Sequence, residues 1–299
     1  MKLINFNLRL GILNGNLKFS IINGNLKTRV IYISHTNSRR KRGGEYMLGI
    51  YFSGTGNTKH CIELFIKEID TAAKCISIED ARVLEEIHKS DFIVLAYPIY
   101  FSNLPKIVRD FILQNKAKFM GKKVFIIATM GLFSGDGTGC SARLLAKCGA
   151  EIVGGLHLKM PDCIGDEKAL KKTIEQNKVI VKQAHIKIKK SANSLKNSHA
   201  TQEGIGFFYH IAGLFGQRLW FYGKTKNYSD KLKINTEKCI GCGVCIQLCP
   251  MKNLSIVNGR AVQNGRCTMC YRCISNCPQQ AITLLGKNLY EQCKIEKYI

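Results

Sequence analysis

Eight of the fourteen cysteines in the chain form two runs with the same spacing near the C-terminus. The runs are Cys239-x2-Cys242-x2-Cys245-x3-Cys249-Pro250 and Cys267-x2-Cys270-x2-Cys273-x3-Cys277-Pro278. Three thiolates at two-residue intervals can wrap three corners of a [4Fe–4S] cube, and a fourth cysteine before a helix-breaking proline reaches a neighbouring cube. The spacing therefore predicts iron–sulfur clusters and one-electron chemistry.

The crossing of the fourth cysteine divides the eight ligands into two sets. The first cysteine set is Cys239, Cys242, Cys245 and Cys277, and the second cysteine set is Cys249, Cys267, Cys270 and Cys273. Zinc is the competing interpretation, because paired C-x2-C elements also bind zinc. Zinc leaves the repeated third and fourth cysteines, with their prolines, unexplained, so we expect two [4Fe–4S] clusters. Their apolar shield is predicted to be Ile240, Val244, Ile246, Ile274, Ala281 and Ile282.

The length and composition indicate a globular protein of two domains. The chain has 299 residues, of which 45% are hydrophobic, enough for one larger and one small core. The six cysteines outside the runs show no paired spacing, and reduced thiols beside iron–sulfur clusters predict a cytoplasmic protein. No signal-peptide pattern is present, and the most hydrophobic stretch, residues 205–222, contains His210, Gln217 and Arg218, so no transmembrane segment is predicted.

The net charge of +24 is unevenly distributed along the chain. Residues 47–165 hold fourteen basic and twelve acidic residues, whereas residues 230–299 hold ten basic and four acidic residues. Such an excess attracts acidic redox partners, nucleic acid or anionic lipid. A solvated, lysine-rich surface is an equally good explanation. Because no helix-turn-helix pattern is present, we expect redox partner proteins, including acidic ones, and no specific nucleic acid.

Residues 1–46 differ in pattern from the rest of the chain. The pairs Asn14-Gly15 and Asn23-Gly24 can make hairpin turns between short strands, and residues 39–42 are a basic run that can touch nucleic acid or remain solvated. Residues 42–46 can also be encoded by a purine-rich tract that resembles a ribosome-binding site before Met47. The hypothesis we favour is that Met47 is the true start and that residues 1–46 are a leader or a basic tail.

From Met47 onward, short apolar strands alternate with amphipathic helices. Strands are predicted at 48–52, 73–78, 92–97, 124–129 and 152–158, and helices after Thr58, at 83–88 and 106–114, through Leu145 and at 166–190. This alternation predicts an α/β fold with a doubly wound, five-stranded parallel sheet covered on both faces.

The loop after the first of these strands, residues 53–58, can hold a phosphate. Its sequence is Ser-Gly-Thr-Gly-Asn-Thr, in which hydroxyl groups and glycine backbone surround the start of a helix. Free N–H groups and the helix dipole favour an anion there, and the absence of lysine excludes a nucleoside-triphosphate P-loop. In doubly wound sheets a ligand lies at the carboxyl ends of the strands, where residues 98–104 and the glycine-rich stretch 131–139 also lie.

Residues 53–58 resemble the phosphate-binding loop of flavodoxins at every position, and residues 98–104 resemble the flavin-ring loop of flavodoxin-like quinone reductases. The order of the two regions resembles flavodoxin–ferredoxin fusion proteins of anaerobic bacteria over residues 47–290. This resemblance implies a flavodoxin-like domain that binds FMN, followed by a small α+β 2[4Fe–4S] ferredoxin-like domain. The implied cofactor-binding residues are Ser53, Gly54, Thr55, Gly56, Asn57, Thr58, Pro98, Tyr100, Phe101, Asn103, Gly131 and Phe133. Tyr97 and Tyr100 can instead be core aromatics at strand ends.

The predicted domains are a flavodoxin-like domain at 47–190, a linker with an aromatic interdomain helix at 191–229 and a ferredoxin-type domain at 230–299. Within the last domain, residues 254–257 and 261–262 around Asn258-Gly259 predict a hairpin, with residues 281–285 as its partner strand.

The expected function is electron transfer between FMN, two [4Fe–4S] clusters and redox partner proteins. One alternative is a flavin-dependent reductase of a quinone or a similar small acceptor, although no acid–base constellation singles out a catalytic residue. A second alternative is a redox-sensing binding module whose flavodoxin-like domain lacks flavin.

Overall fold

The computed structural model describes residues 7–13, 16–22, 31–32, 46–100, 103–132, 135–206, 209 and 228–299. The chain divides into two compact units, residues 1–44 and residues 45–299. In the first unit, strands β1 (Asn7–Leu13), β2 (Asn16–Ile22) and β3 (Ile31–Tyr32) form an antiparallel sheet in sequence order. Leu13 pairs with Asn16, so β1 and β2 are adjacent in this sheet, and the first Asn-Gly pair lies outside the described residues.

The second unit contains a five-stranded parallel sheet in the order β5-β4-β6-β7-β8. Its strands are β4 (Met47–Tyr51), β5 (Lys74–Ser77), β6 (Phe92–Pro98), β7 (Lys123–Met130) and β8 (Glu151–Lys159). The five predicted strands are confirmed to within two residues at each end. The chain reverses its winding direction between β4 and β6, so a crevice opens at their carboxyl ends.

Helices cover both faces of the parallel sheet. The helices are α1 (Asn57–Ile69), α2 (Val83–Lys89), α3 (Lys106–Gln114), α4 (Lys116–Phe119), α5 (Gly137–Lys147) and α6 (Ile174–Lys196). Apolar residues of α1 and α6 share one core with one face of the sheet, and those of α2, α3, α4 and α5 share another core with the opposite face. This arrangement is the doubly wound fold that the alternation predicts and the flavodoxin-like fold that the resemblance implies.

Helix α6 begins later and ends later than predicted. The expected range was 166–190, but the helix begins at Ile174 because Thr173 and Gln176 form a capping box. At its other end the helix continues to Lys196, where a polar linker was expected. Beyond it, the backbone of Thr201 and Glu203 bonds to Gly155 of β8, so this stretch extends the sheet edge. The predicted aromatic helix lies outside the described residues, apart from Tyr209.

The C-terminal segment, residues 228–299, contains short elements around the cysteine runs. These are β9 (Lys233–Ile234), α7 (Val244–Leu248), β10 (Leu254–Val257), β11 (Arg260–Gln263), α8 (Arg272–Asn276) and β12 (Ile282–Thr283). Strands β10 and β11 confirm the hairpin at Asn258-Gly259. The expected pairing of residues 281–285 with that hairpin is wrong, because β12 pairs with β9 at the start of the segment.

Candidate functional site

The predicted phosphate loop, residues 53–58, connects β4 to α1 at the switch point of the sheet. Gly56 has φ = 92°, a left-handed conformation that glycine adopts without strain, and it directly precedes α1. The Ser53 hydroxyl is buried and has no hydrogen-bond partner. The Asn57 side chain donates to the Pro161 carbonyl at 2.7 Å, while its own oxygen is buried and unpartnered. These orphaned polar atoms at a helix N-terminus fit an oxygen-rich anion such as phosphate.

Thr58 plays a different part from the rest of the loop. Its hydroxyl lies 2.7 Å from the Thr129 hydroxyl at the end of β7, and both side chains are buried. The pair ties the start of α1 to the neighbouring strand. Among the described residues, the buried Ser53 hydroxyl has no such protein partner. The loop therefore divides into residues that hold its shape and residues whose polar groups remain available.

A cavity of about 330 Å³ opens over the phosphate loop. Its volume is at the lower end of the range of about 300–1,000 Å³ that is typical of small-molecule sites. Of the twelve cofactor residues predicted from sequence, eight line it: Ser53, Gly54, Thr55, Asn57, Thr58, Pro98, Tyr100 and Gly131. Asn103 is buried beside Tyr100 and pairs with its backbone, whereas Phe101 and Phe133 lie outside the described residues. One cavity thus collects most of the predicted site.

Tyr97 and Tyr100 have separate surroundings. Tyr97 is fully buried, and its hydroxyl bonds to the Gly137 carbonyl at 2.7 Å and to the Ser141 hydroxyl at 2.6 Å, so it is a core residue. Tyr100 is 9% exposed and lines the cavity. Burial raises its pKa well above the ordinary value, which keeps the phenol neutral. Of these two tyrosines, Tyr100 is the one placed to contact a ligand in the cavity.

A strap of residues 160–170, which follows β8, forms one wall of the cavity and was not foreseen from the sequence. Met160, Pro161, Asp162, Cys163, Ile164 and Leu170 line the cavity. Burial raises the pKa of the Asp162 carboxyl and of the Cys163 thiol. No motif marks these residues. The helix predicted from residue 166 covered part of this strap, so the sequence pattern did not mark it as a cavity wall.

The same strap holds the C-terminal segment through Asp166. This carboxylate is 1% exposed; it accepts hydrogen bonds from the Tyr271 hydroxyl at 2.9 Å and from the backbone of Leu284 and Leu285 at 2.6 and 2.9 Å. Tyr271 itself lines the cavity. Asp166 therefore positions a cavity wall that belongs to the second cysteine run, and no sequence motif marks this role.

The second cysteine run also lies directly against the phosphate loop. A side chain on Gly54 would collide with the Cys270 carbonyl, so only glycine allows this close approach. Arg272 donates to the Ser53 carbonyl at 2.7 Å and pairs with Glu79 at 2.7 Å. Its guanidinium lies 5.7 Å from the centre of the Phe52 ring. These contacts fix the run at the mouth of the cavity.

The eight motif cysteines surround two further cavities, four at each. The first cysteine set lines one cavity together with Ile240, Val244 and Ala281, and the second cysteine set lines the other together with Leu232, Met251 and Ile274. In the described part of the chain, no three His, Cys, Asp or Glu side chains are placed to hold one metal ion. Thiols grouped around a cavity but set apart from one another fit a multi-iron cube better than a single zinc ion.

Backbone amides donate to the sulfur atoms of both sets. In the first set, Ala261 donates to Cys239 at 3.4 Å and Ala281 to Cys277 at 3.3 Å. In the second set, Asn253 donates to Cys249 and Met269 to Cys267, both at 3.3 Å. Hydrogen bonds of this kind lower the electron density on cluster ligands and so help to set a reduction potential.

Two segments of the chain match known family models. Residues 48–142 match the family model of the flavodoxin domain, and residues 231–278 match that of the 4Fe–4S dicluster domain. The chain joins a flavodoxin domain to a 4Fe–4S dicluster domain. These domain types support flavin binding and iron–sulfur binding in one protein.

Individual relatives resemble separate parts of the chain. Ferredoxin-2 of Desulfomicrobium norvegicum is 45% identical over 29 residues, which are 10% of this chain and 49% of that protein, so the chain covers about half of this curated relative. Among solved structures, two-electron reduced Megasphaera elsdenii flavodoxin is 25% identical over 39% of this chain and 88% of its own, with a TM-score of 0.35. Oxidised flavodoxin 2 of Bacillus cereus is 22% identical, and the match covers 50% of this chain and 97% of that one, with a TM-score of 0.39.

The dicluster domain departs from its own internal repeat where it faces the flavodoxin domain. Gly241 and Gly243 of the first run have φ values of 69° and 76°, and the equivalent residues of the second run are Met269 and Tyr271, with φ values of 61° and 58°. A left-handed conformation costs a non-glycine residue about 1 kcal/mol or more. Met269 and Tyr271 are buried and line the cavity. The two strained residues are therefore the ones that form a wall of the candidate site.

In the part of the chain that the structure describes, no helix is both long enough and apolar enough to cross a membrane.

Proposed function

We propose that this chain is an electron-transfer protein that binds one FMN and two [4Fe–4S] clusters and exchanges electrons with external redox proteins. The observation that carries the proposal is the shared wall of one cavity. The phosphate loop of the flavodoxin domain lines one side, and Met269 and Tyr271, which flank Cys270, line the other. A flavin in that cavity would lie against the ligands of a cluster.

The residues of the phosphate loop fit an FMN phosphate. Ser53 and Asn57 supply buried polar atoms without a protein partner, and the N-terminus of α1 supplies free N–H groups. Tyr100, on the loop after β6, is the candidate ring contact, with Pro98, Asn103 and Gly131 around it. Thr58 keeps the loop in shape through Thr129.

The two cysteine sets are the proposed ligands of the two clusters. Cys239, Cys242, Cys245 and Cys277 would hold one cube, and Cys249, Cys267, Cys270 and Cys273 the other. The second set is next to the FMN cavity, because Cys270 touches Gly54 of the phosphate loop. The resulting order is FMN, then the second set, then the first set.

When bound, FMN exchanges two electrons and each cluster exchanges one, so the groups together convert pairs of electrons into single ones. The chain's own residues hold these groups close together and keep water away from the path between them. Met269, Tyr271 and Cys270 are each less than 8% exposed. Arg272 and Asp166 fix the relative position of the two domains.

The proposed domains extend the boundaries expected from the sequence. The flavodoxin domain begins at residue 47 and includes all of α6 and the stretch to residue 206, because Thr201 and Glu203 bond to β8. The dicluster domain covers residues 230–299.

A second candidate function is reduction of a small acceptor, and Asp162 is the observation that favours it. This carboxyl lines the cavity, lies against Gly131 and has a raised pKa, so it could supply a proton. The carrier function remains our first choice, because the cavity has the volume of a single small-molecule site. Saturable steady-state reduction of quinones that is lost in Asp162→Asn would support the reductase instead.

Anaerobic purification with iron, sulfide and flavin quantified on one sample tests the proposal. We expect about eight iron atoms, about eight sulfides and about one FMN per chain. Clusters without FMN after incubation with excess flavin would remove the flavin part of the proposal. About two tightly bound zinc ions in place of iron would remove the cluster part.

A further inference from the structure

The two cysteine runs repeat one sequence pattern but differ in what covers them. Cys270, the second cysteine of its run, is 7% exposed and lies under the phosphate loop, whereas Cys242, at the same position of the other run, is exposed. Ile240 is 59% exposed, whereas the equivalent Thr268 is 8% exposed. Ile240 was expected to shield a cluster from water, and it lies at the surface instead. The first cysteine set is therefore the one that another molecule can approach.

Exposed aliphatic side chains surround this approach. Ile256 and Val257 of β10 are 41% and 50% exposed, and Ile256 lines the same cavity as the first cysteine set. Gly241 of the cysteine run packs against the backbone of Gly259 at the tip of the hairpin, so Ile240 and the hairpin are neighbours. A patch of aliphatic residues beside an exposed cysteine suits a protein surface more than a sugar–phosphate backbone.

A groove of about 370 Å³ beside the first cysteine set carries three lysines. Lys233, Lys238 and Lys287, here called the lysine groove, are all exposed, and among the described residues no ion pair within 4.0 Å involves them. Ala281 belongs both to this groove and to the cavity of the first cysteine set, so the two are adjacent. One carboxylate, Glu237, is in the same turn, which leaves the groove with an excess of positive charge.

We propose that the first cysteine set is the electron port of the protein and that the lysine groove docks a carrier protein with surface carboxylates. This inference rests on the proposed function. Carboxylates of the partner would pair with Lys233, Lys238 and Lys287, and its apolar surface would cover Ile240 and Ile256. One electron crosses the interface in each encounter: the centre that gives it is oxidised by one electron, the centre that takes it is reduced by one, and no bond or proton changes place.

The test measures binding of the holoprotein to a purified acidic bacterial ferredoxin, anaerobically, by calorimetric titration. The variant is Lys233→Glu/Lys238→Glu/Lys287→Glu. At an ionic strength of about 10 mM, where screening is weak, we expect its Kd to rise about 10- to 100-fold relative to the unsubstituted protein. Binding of the unsubstituted protein should also weaken steeply as salt is raised to about 150 mM.

A matched control reverses three exposed lysines on α6. Lys178→Glu/Lys182→Glu/Lys190→Glu changes the net charge equally, and none of the three is in the dicluster domain. An equal loss of affinity in the control would overturn the lysine groove as a specific site. Preferential binding of duplex DNA over the ferredoxin, lost through the same three groove lysines, would also overturn the proposal by assigning the groove to nucleic acid.

A second, milder variant tests the proposal even if the triple lysine variant does not fold. Ile240→Ser removes an exposed aliphatic side chain and leaves every cysteine and lysine in place, and we expect about a three- to tenfold weaker complex. If both this variant and the groove variant bind the ferredoxin with unchanged affinity, the proposal is overturned. Iron, sulfide and FMN are quantified on each sample, so a failure of the cofactor assignment is distinguished from a failure of docking.

Discussion

Arg272 of the dicluster domain donates a hydrogen bond of 2.7 Å to the backbone carbonyl of Ser53, the first residue of the phosphate loop. The same guanidinium holds both carboxylate oxygens of Glu79, at 2.7 and 2.8 Å, and the carbonyl of Leu248 at 3.1 Å. A planar group with five donors can make all of these contacts at once. One side chain thus connects the second cysteine run, the phosphate loop and the turn that follows β5.

The first prediction concerns this connection. Arg272→Met should lower the stability against urea by about 2–3 kcal/mol and should also weaken FMN binding, because the Ser53 carbonyl and Glu79 lose a charged donor. The stability of Arg272→Lys against urea should lie between that of the unsubstituted protein and that of Arg272→Met. A lysine ammonium group cannot reproduce the paired contact that the arginine makes with the Glu79 carboxylate. Arg260→Met is the control, as Arg260 is exposed and makes one contact of 3.4 Å with Gly259. Equal urea midpoints for Arg272→Met and Arg260→Met would contradict the connection.

The second prediction separates the two kinds of residue in the phosphate loop. Ser53→Ala and Thr55→Val should each raise the Kd of FMN by about tenfold, because each removes a hydroxyl from a loop residue that lines the cavity. Thr58→Val should act mainly on folding and cost about 1–2 kcal/mol, because it leaves the buried Thr129 hydroxyl without its partner. Flavin fluorescence titration and urea unfolding measure the two effects. Ser194→Ala on α6 is the control, and the assignment fails if Ser53→Ala binds FMN as tightly as this control.

The loops at the ends of the strands could be predicted from the sequence because each depends on local chemistry. Residues 53–58 combine glycines with hydroxyls between a strand and a helix, and Asn258-Gly259 needs only its own two residues to turn the chain. The cysteine spacing is equally local. For these features, the residues that define the structure are neighbours in the chain.

The contacts between the domains could not be predicted, because they join residues that are far apart in the chain. Asp166 and Tyr271 are 105 positions apart, and Arg272 and Ser53 are 219 apart. Asp166 was expected to begin a helix, but its carboxylate instead accepts hydrogen bonds from the dicluster domain. The placement of Tyr97 in the core likewise depends on partners, Gly137 and Ser141, that no local pattern reveals.

The third prediction uses the strained wall residue Met269. Met269→Gly relieves a left-handed φ of 61° and restores the glycine that the first run has at the equivalent position. We expect iron and sulfide content to be unchanged, the stability of the dicluster domain to change by less than about 1 kcal/mol, and the Kd of FMN to rise about tenfold. Loss of iron without any change in FMN affinity would show that the side chain serves the cluster rather than the cavity.

The fourth prediction concerns pH and the half-buried His157 of β8. Its ring nitrogen accepts from the backbone of Thr138 at 3.2 Å, and burial lowers its pKa to about 4. Between about pH 6.5 and pH 4 the unfolded chain binds a proton that the folded chain excludes. The contribution of His157 to stability is therefore complete above about pH 6.5 and is lost as the pH falls, by at most about 1.4 kcal/mol per pH unit.

His157→Gln should flatten this dependence, because an amide can accept the same hydrogen bond and does not titrate in this range. Urea midpoints measured between about pH 7 and pH 5.5 compare its slope with that of His199→Gln, whose histidine is exposed. Burial also lowers the pKa values of the paired His60 and His185, so some slope should remain in every variant. The assignment to His157 is wrong if His157→Gln and His199→Gln lose stability at the same rate as the pH falls.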